Sequence, residues 1–277
     1  MPLVTLTSDI GVQDFMPGAI KGQLMQANPS FNVIDITHLL SPFNYPQAAY
    51  VCRNAIKNFS AGTFHLILIN LFHEKLDHLL IVEHNGHYIG CADNGLITMI
   101  LEEIPQQIVG IPLEKNQSIN ALYCTNVLAN AFSKIAAGAS LQSLGDTNVS
   151  INVKNPLRPL LGNDWIEGQI IFIDNFGNVI VNISKEAFEE QRKGRRFAIV
   201  FKRDESIEKI SETYADVPEG EKLAIFNSAG YLEIAMNKGN AANLFGLQSY
   251  SEHQQKTLGP QFMNNNIFYQ TIKVHFQ

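Results

Sequence analysis

The stretch Val4 to Asp14, VTLTSDIGVQD, followed by the amphipathic run Pro17 to Gln26, decides the reading of the fold. Val4 to Thr7 is a short β-branched and aliphatic run, and an amphipathic segment opens just beyond it. The pair reads as a strand feeding a helix. Thr7, Ser8, Asp9, Ile10 and Gly11 then lie at the strand's C-terminal end, with Asp14 at the mouth of the helix. In open α/β sheets this edge is where ligands dock. A carboxylate there has acceptor oxygens for both hydroxyls of a ribose, and a second can hold an ammonium group. The plainer reading has Asp9 closing a turn and Asp14 capping a helix, each worth about 1 kcal/mol.

Working outward, Val33 to Thr37 and His65 to Ile69 are further strand-like runs, alternating with the amphipathic stretch Pro46 to Phe59. The alternation implies βαβ units and a mostly parallel sheet flanked by helices. More strands are expected at Leu79 to Glu83, Tyr88 to Cys91 and Gln107 to Ile111, with helices at Gly95 to Glu103 and Asn126 to Ala137. Beyond Gly145 the texture changes. Asn148 to Gly162 is rich in Asn and Pro, and strand-like runs follow at Gly168 to Ile173, Val179 to Ile183, Arg196 to Phe201 and Lys222 to Ala224. We therefore expect an α/β domain over 1–160 and a smaller all-β, barrel-like domain over 161–277.

The 277 residues are 45% hydrophobic and 17% charged, with a formal net charge of -6. That suits a folded enzyme or binding protein and gives no basic footprint for nucleic acid. The first residues lack the pattern of a signal peptide, and no apolar run is long enough for a membrane span. Three widely spaced cysteines, Cys52, Cys91 and Cys124, suggest neither a disulfide framework nor a zinc knuckle. A cytoplasmic protein is the expectation. Dinucleotide and phosphate glycine loops, G-x-S-x-G and H-E-x-x-H are all absent.

Two more segments carry candidate chemistry. Asp174 to Asn178, DNFGN, lies between strand-like runs; read plainly it is a hairpin turn. Read functionally, Phe176 offers a stacking face and Asn178 a paired donor and acceptor for the edge of adenine. Asn227 to Asn237, NSAGYLEIAMN, describes a strand turning at Gly230 and loosening at Gly239, which would bring backbone groups close to a planar ligand.

Together, LTSDIGVQD (6–14), GAIKG (18–22), DNGLIT (93–98), residues 136–145, DNFGNVIVN (174–182) and NSAGYLEIAMN (227–237) resemble the S-adenosylmethionine hydroxide adenosyltransferase family. That family is related to fluorinating and chlorinating enzymes. The resemblance spans nearly the whole chain. It implies an α/β domain, a C-terminal β-barrel and a homotrimer with sites between neighbouring subunits. It also implies S-adenosylmethionine as ligand, with no separate cofactor and no metal. By the same likeness Asp9 holds the ribose hydroxyls, while Asp14, Asp174 and Ser228 hold the methionine end. Asn178 reads adenine, Phe176 and Tyr214 stack on it, the backbone from Met236 to Lys238 contacts it, and Phe43 stands beside the sugar. The reaction implied is displacement at the ribose 5′ carbon by water or hydroxide, releasing adenosine and L-methionine.

The likeness breaks at the nucleophile. Family hydrolases carry an Asp-Pro-Gly-Val-Gly segment followed by Arg, and a Phe-His-Gly-Arg-Asp segment, whose Asp, Arg and His orient water. Here the first reads Asn70, Leu71, Phe72, His73, Glu74, Lys75, Leu76, Asp77, His78, and the second Leu122, Tyr123, Cys124, Thr125, Asn126. Asn70 replaces the Asp, Asp77 or His78 falls where the Arg belongs, and Tyr123 replaces the His. The candidate catalytic positions are therefore Asn70, His73, His78 and Tyr123. Two readings stay open at this point: His73, Glu74, Asp77 or His78 holds the water instead, or the pocket binds S-adenosylmethionine or adenosine without turnover. A metal gathered by His73, Asp77, His78, His84 and His87 is a weaker idea, as is halide transfer, since Cys124 sits where halogenases use Ser.

Overall fold

The computed structural model describes residues 1–114, 116–202, 205–249 and 269–277. The chain divides into two units, residues 1–156 and 157–277.

In the first unit the elements run β1 (Leu3–Ser8), α1 (Met16–Ala27), β2 (Asn32–Thr37), α2 (Tyr45–Ile56), β3 (Phe64–Leu68), β4 (His78–His84), β5 (His87–Ala92), α3 (Leu96–Leu101), β6 (Gln107–Pro112) and α4 (Ala121–Ala136). The six strands form one sheet in the order β2-β1-β3-β5-β4-β6. The pairs β1·β2, β1·β3 and β3·β5 are parallel, whereas β4 runs against both β5 and β6. The sheet is thus mixed, a refinement of the mostly parallel expectation: β4 alone is reversed. The reason is local. His84 and His87 pair across Asn85 and Gly86, both at positive φ, so β4 and β5 form a tight hairpin rather than a helical crossover.

The period of two along each strand sorts side chains to the two faces. Val4, Leu6, Leu66, Leu68, Leu79 and Ile81 join a core shared with Ile20 and Leu24 of α1 and with Leu128 and Phe132 of α4. Ile67, Ile69, Leu80 and Val82 join the opposite core with α2 and α3. Each fully buried aliphatic side chain contributes roughly 1.5–3 kcal/mol. The helix read from Asn126 starts earlier, at Ala121, because Asn120 is the residue whose side chain caps it, accepting the Tyr123 N–H at 3.0 Å.

The second unit contains β7 (Leu160–Leu161), β8 (Trp165–Ile173), β9 (Val179–Ser184), α5 (Lys185–Arg192), β10 (Phe197–Lys202), β11 (Glu205–Ile207), β12 (Lys222–Phe226), β13 (Tyr231–Met236), α6 (Ala241–Phe245) and β14 (Thr271–Phe276). Strand order is β11-β10-β14-β8-β9-β13-β12, with β7 added to β8. All these pairs are antiparallel. Just beyond β11, Ile210 bridges to Ala224 of β12, and the Ser211 N–H donates to the Ala224 carbonyl at 2.8 Å. The two ends of the sheet therefore nearly meet, which spares it an open edge. Val179, Val181, Ile183, Leu232, Ile234, Ile272 and Val274 fill the interior. Phe188 of α5, fully buried, meets Phe197, Phe226 and Phe276 with ring centroids 5.1, 5.3 and 5.6 Å away. α5 and α6 interrupt a region whose sequence reads as strands with few helical signals.

Candidate functional site

The C-terminal edge of the first unit's parallel strands gathers the polar groups of the opening segment. Ser8 ends β1, and Asp9 follows with its N–H on the Leu68 carbonyl of β3. Two residues beyond β3, Asn70 adopts a left-handed φ of 46°. That conformation turns its backbone N–H onto Asp9 Oδ2 at 2.7 Å, and Asn is among the few residues that tolerate it. The Asn70 side-chain amide donates to the Tyr45 hydroxyl at 3.0 Å and lies 3.4 Å from His73 Nδ1. Asn94, after β5, locks the same loop by donating to the Ile69 and Asn70 carbonyls at 2.9 and 3.2 Å. Burial raises the Asp9 carboxyl above its ordinary range, and the Asn70 hydrogen bond pulls it partly back.

On the far side of Asp9, His38 fixes the loop. Its carbonyl accepts the Gly11 N–H at 2.7 Å, and its Nδ1 lies 2.7 Å from Ser8 Oγ. His38 Nε2 stands 3.3 Å from Asp35 Oδ1, close enough for an ion pair but not aligned as a hydrogen bond. Asp14 accepts the Met16 N–H at 2.9 Å in an exposed turn just before α1, whose N-cap position is Phe15 with no side-chain cap, so Asp14 ties the entry turn and is not the capping residue. Phe43 is exposed, as are Phe15 and Phe72.

The substituted segment makes its own cluster. His78, first residue of β4, lies 3.2 Å from Asp93, and His73, Glu74 and Asp77 border the same small cavity. Tyr123 stands apart from this hydrogen-bonded set: its hydroxyl accepts the Glu114 N–H at 2.9 Å. Cys124 is buried in the core, and burial pushes its thiol up to about 11, so it is no nucleophile. Among the described residues no three His, Cys, Asp or Glu side chains gather to hold a metal, which removes support from the histidine-metal idea. No helix of the described residues is long and apolar enough to cross a membrane.

The second unit holds the other constellation. Asp174 organises the β8–β9 loop: Oδ1 accepts the Phe176 and Asn178 N–H groups at 2.9 and 2.8 Å, and Oδ2 accepts the Asn178 side-chain amide at 3.0 Å. Phe176 is thereby thrown outward, 73% exposed, a costly position for an aromatic ring with nothing to cover it. Gly177 has φ +80° and packs against Asn240. Nearby, the Tyr214 hydroxyl donates to Glu233 Oε1 at 2.7 Å. Glu233 is buried on β13, and burial raises its carboxyl, against the lowering bonds from Tyr214 and Asn227. Ser228 is exposed at the tip of the turn that Asn227 caps. Lys238, at φ 55°, pairs with Glu219 at 2.8 Å, and Met236 packs over Gly239.

Tyr45, Asp93, Asn94 and Glu233 were not singled out as site residues from the sequence. Glu233 carried a usable signal, a lone charge inside the alternating strand YLEIAM. Tyr45 and Asn94 carried none, because their partners lie 25 and 24 residues away.

Residues 4–145 match the SAM hydroxide adenosyltransferase N-terminal domain, and residues 168–254 match the C-terminal domain of the same family. The chain belongs to the SAM hydroxide adenosyltransferase family. Relatives within or near this family include a protein of Methanocaldococcus jannaschii named (R)-S-adenosyl-L-methionine hydrolase, 25% identical over 91% of this chain and 95% of its own length. A Thermus thermophilus protein of the same name is 27% identical, over 88% and 96%. A fluorinase of Nocardia brasiliensis is 24% identical over 90% and 94%. Among solved structures, an uncharacterized conserved protein from Thermotoga maritima superposes with a TM-score of 0.80 at 24% identity, covering 98% of this chain and 99% of that one, which speaks to the fold. Segment 70–78 lies inside the matched N-terminal domain.

Proposed function

We propose that this chain hydrolyses S-adenosylmethionine to adenosine and L-methionine. The observation that carries the reading is the match to both domains of the adenosyltransferase family, together with curated relatives named hydrolase over about nine-tenths of the chain. Water attacks the ribose 5′ carbon in line with the C–S bond. The bond from oxygen to carbon forms as the C–S bond breaks, and its electron pair stays on sulfur. The positive sulfonium thereby becomes a neutral thioether, so departure needs no acid. Positioning and exclusion of bulk water supply most of the acceleration.

In this reading Asp9, with its raised carboxyl, accepts the ribose hydroxyls, and Asp14, Asp174 and Ser228 hold the methionine end. Phe176, Tyr214 and Asn178 take the adenine, with the backbone from Met236 to Lys238, and Phe43 flanks the sugar. The resemblance makes the assembly a homotrimer, and the exposed Phe176, Phe43, Phe15 and Phe72 are rings that a neighbouring copy could cover. The protein then works as a soluble cytoplasmic enzyme without cofactor. The test is chromatography of S-adenosylmethionine incubated with the purified protein. Adenosine and methionine should accumulate together, in equal amounts and in proportion to protein; binding without either product would overturn the reading.

A further inference from the structure

Hydrolysis of a sulfonium releases one proton, because water supplies the hydroxyl of adenosine and the thioether leaves neutral. A proton acceptor is therefore the one acid–base demand of the reaction. β4 is the reversed strand of the sheet, so its first residue arrives at the edge where β1, β3 and β5 end. Leu79 pairs with Ala92, which brings His78 beside Asp93. His78 Nε2 lies 3.2 Å from Asp93 Oδ2, and Asp93 Oδ1 is fixed by the Asn152 N–H at 2.8 Å. The Asp93 side chain is only 7% exposed and that of His78 27%.

A carboxylate only accepts, so in the neutral imidazole Nε2 is the nitrogen that carries the proton toward Asp93 and Nδ1 keeps its lone pair. The two residues border a cavity of about 80 Å³, also lined by His73, Asp77 and Asn94. A water needs roughly 10–15 Å³ by this measure, so the cavity, which opens to solvent, has room for several. Asn94 also grips the Asn70 loop whose N–H lies on Asp9, so cavity and ribose carboxylate share one edge.

We propose that His78, oriented by Asp93, receives the proton lost by the attacking water. The proposal rests on the hydrolysis proposed above. As the new carbon–oxygen bond forms, the oxygen's extra proton passes to His78 Nδ1 through cavity water, and from there to solvent. The charged and titratable groups facing the same cavity are His73, Glu74, Lys75, Asp77 and Asp93.

The test compares wild type with H78Q, H78A and D93N, reading turnover across pH from about 5 to 9, adenosine binding by calorimetry, and rescue by free imidazole. Loss of a positioned base costs about 10²–10⁴-fold in rate. Both His78 variants should lose at least about tenfold in kcat, keep adenosine affinity within about threefold and lose the acid limb of the pH profile; imidazole should restore part of the H78A rate. H78Q retains a donor for Asp93, so it serves should H78A fail to fold. D93N should keep the limb with a lowered kcat. Unchanged kcat in H78Q, or a loss matched by weakened adenosine binding, overturns the role of His78 alone. A wild type that binds adenosine yet never releases it from S-adenosylmethionine overturns the hydrolysis itself.

Discussion

At the scale of single residues, Asp9 and Asn70 form the hinge of the account. Asp9→Ala leaves the Asn70 N–H without its acceptor in a partly buried position, a loss of about 1–3 kcal/mol. Asp9→Asn keeps an acceptor oxygen and should stay within about 1 kcal/mol of wild type while still raising KM for S-adenosylmethionine. Urea unfolding beside steady-state kinetics separates the two. Asn70→Gly keeps both the left-handed backbone and the N–H on Asp9 but removes the amide that reaches Tyr45 and His73. Stability should change by less than about 1 kcal/mol and kcat should fall; equal kcat would show that the amide has no part in the chemistry. His65 tests the electrostatics away from the site. Burial, with His87 next to it, lowers its pKa to about 3, so the folded protein holds it neutral. A depressed histidine contributes stability that is full above the unfolded value of about 6.5 and is lost as pH falls toward 3. Between pH about 7 and 4.5 this one residue should cost on the order of 2 kcal/mol, and His65→Gln should show a correspondingly shallower acid loss in thermal unfolding.

At the scale of elements, the β8–β9 loop shows how much a turn decides. Gly177 sits at φ +80°, and a Cβ there would meet the Asn240 side chain at 2.2 Å. Gly177→Ala should cost at least about 1–3 kcal/mol and tilt Phe176, lowering both Tm and adenosine affinity; an unchanged Tm would mean that the loop is freer than its hydrogen bonds to Asp174 suggest. This loop was legible from its letters, since DNFGN names both the carboxylate that ties it and the glycine that turns it. So were β1, β3 and β5 and the helices α1 and α3, where the apolar pattern is local. β14 was not legible in the same way, whereas the reversal of β4 stood in the letters Asn85-Gly86, a hairpin signal that the mostly parallel expectation passed over. β14 pairs with β8 about a hundred residues earlier, as Thr271 opposite Gln169, and no local pattern announces a partner so distant. The letters HLLIVEH alone do not tell the direction of β4; the Asn85-Gly86 turn after them does, and the reversed strand brings His78 beside Asp93.

At the scale of the whole molecule, each unit has cores of its own, with α1, α2, α3 and α4 around the mixed sheet and Phe188 plugging the near-closed barrel. Residues 157–277 expressed alone should therefore unfold cooperatively with a β-type circular dichroism spectrum. The central claim is that water attacks the ribose 5′ carbon, and reaction in water enriched in heavy oxygen tests it most directly. The account predicts heavy oxygen in the 5′ hydroxyl of adenosine and none in methionine. Methylthioadenosine with labelled homoserine, or S-adenosylhomocysteine with labelled methanol, would place the attack at another carbon of the sulfonium and contradict it.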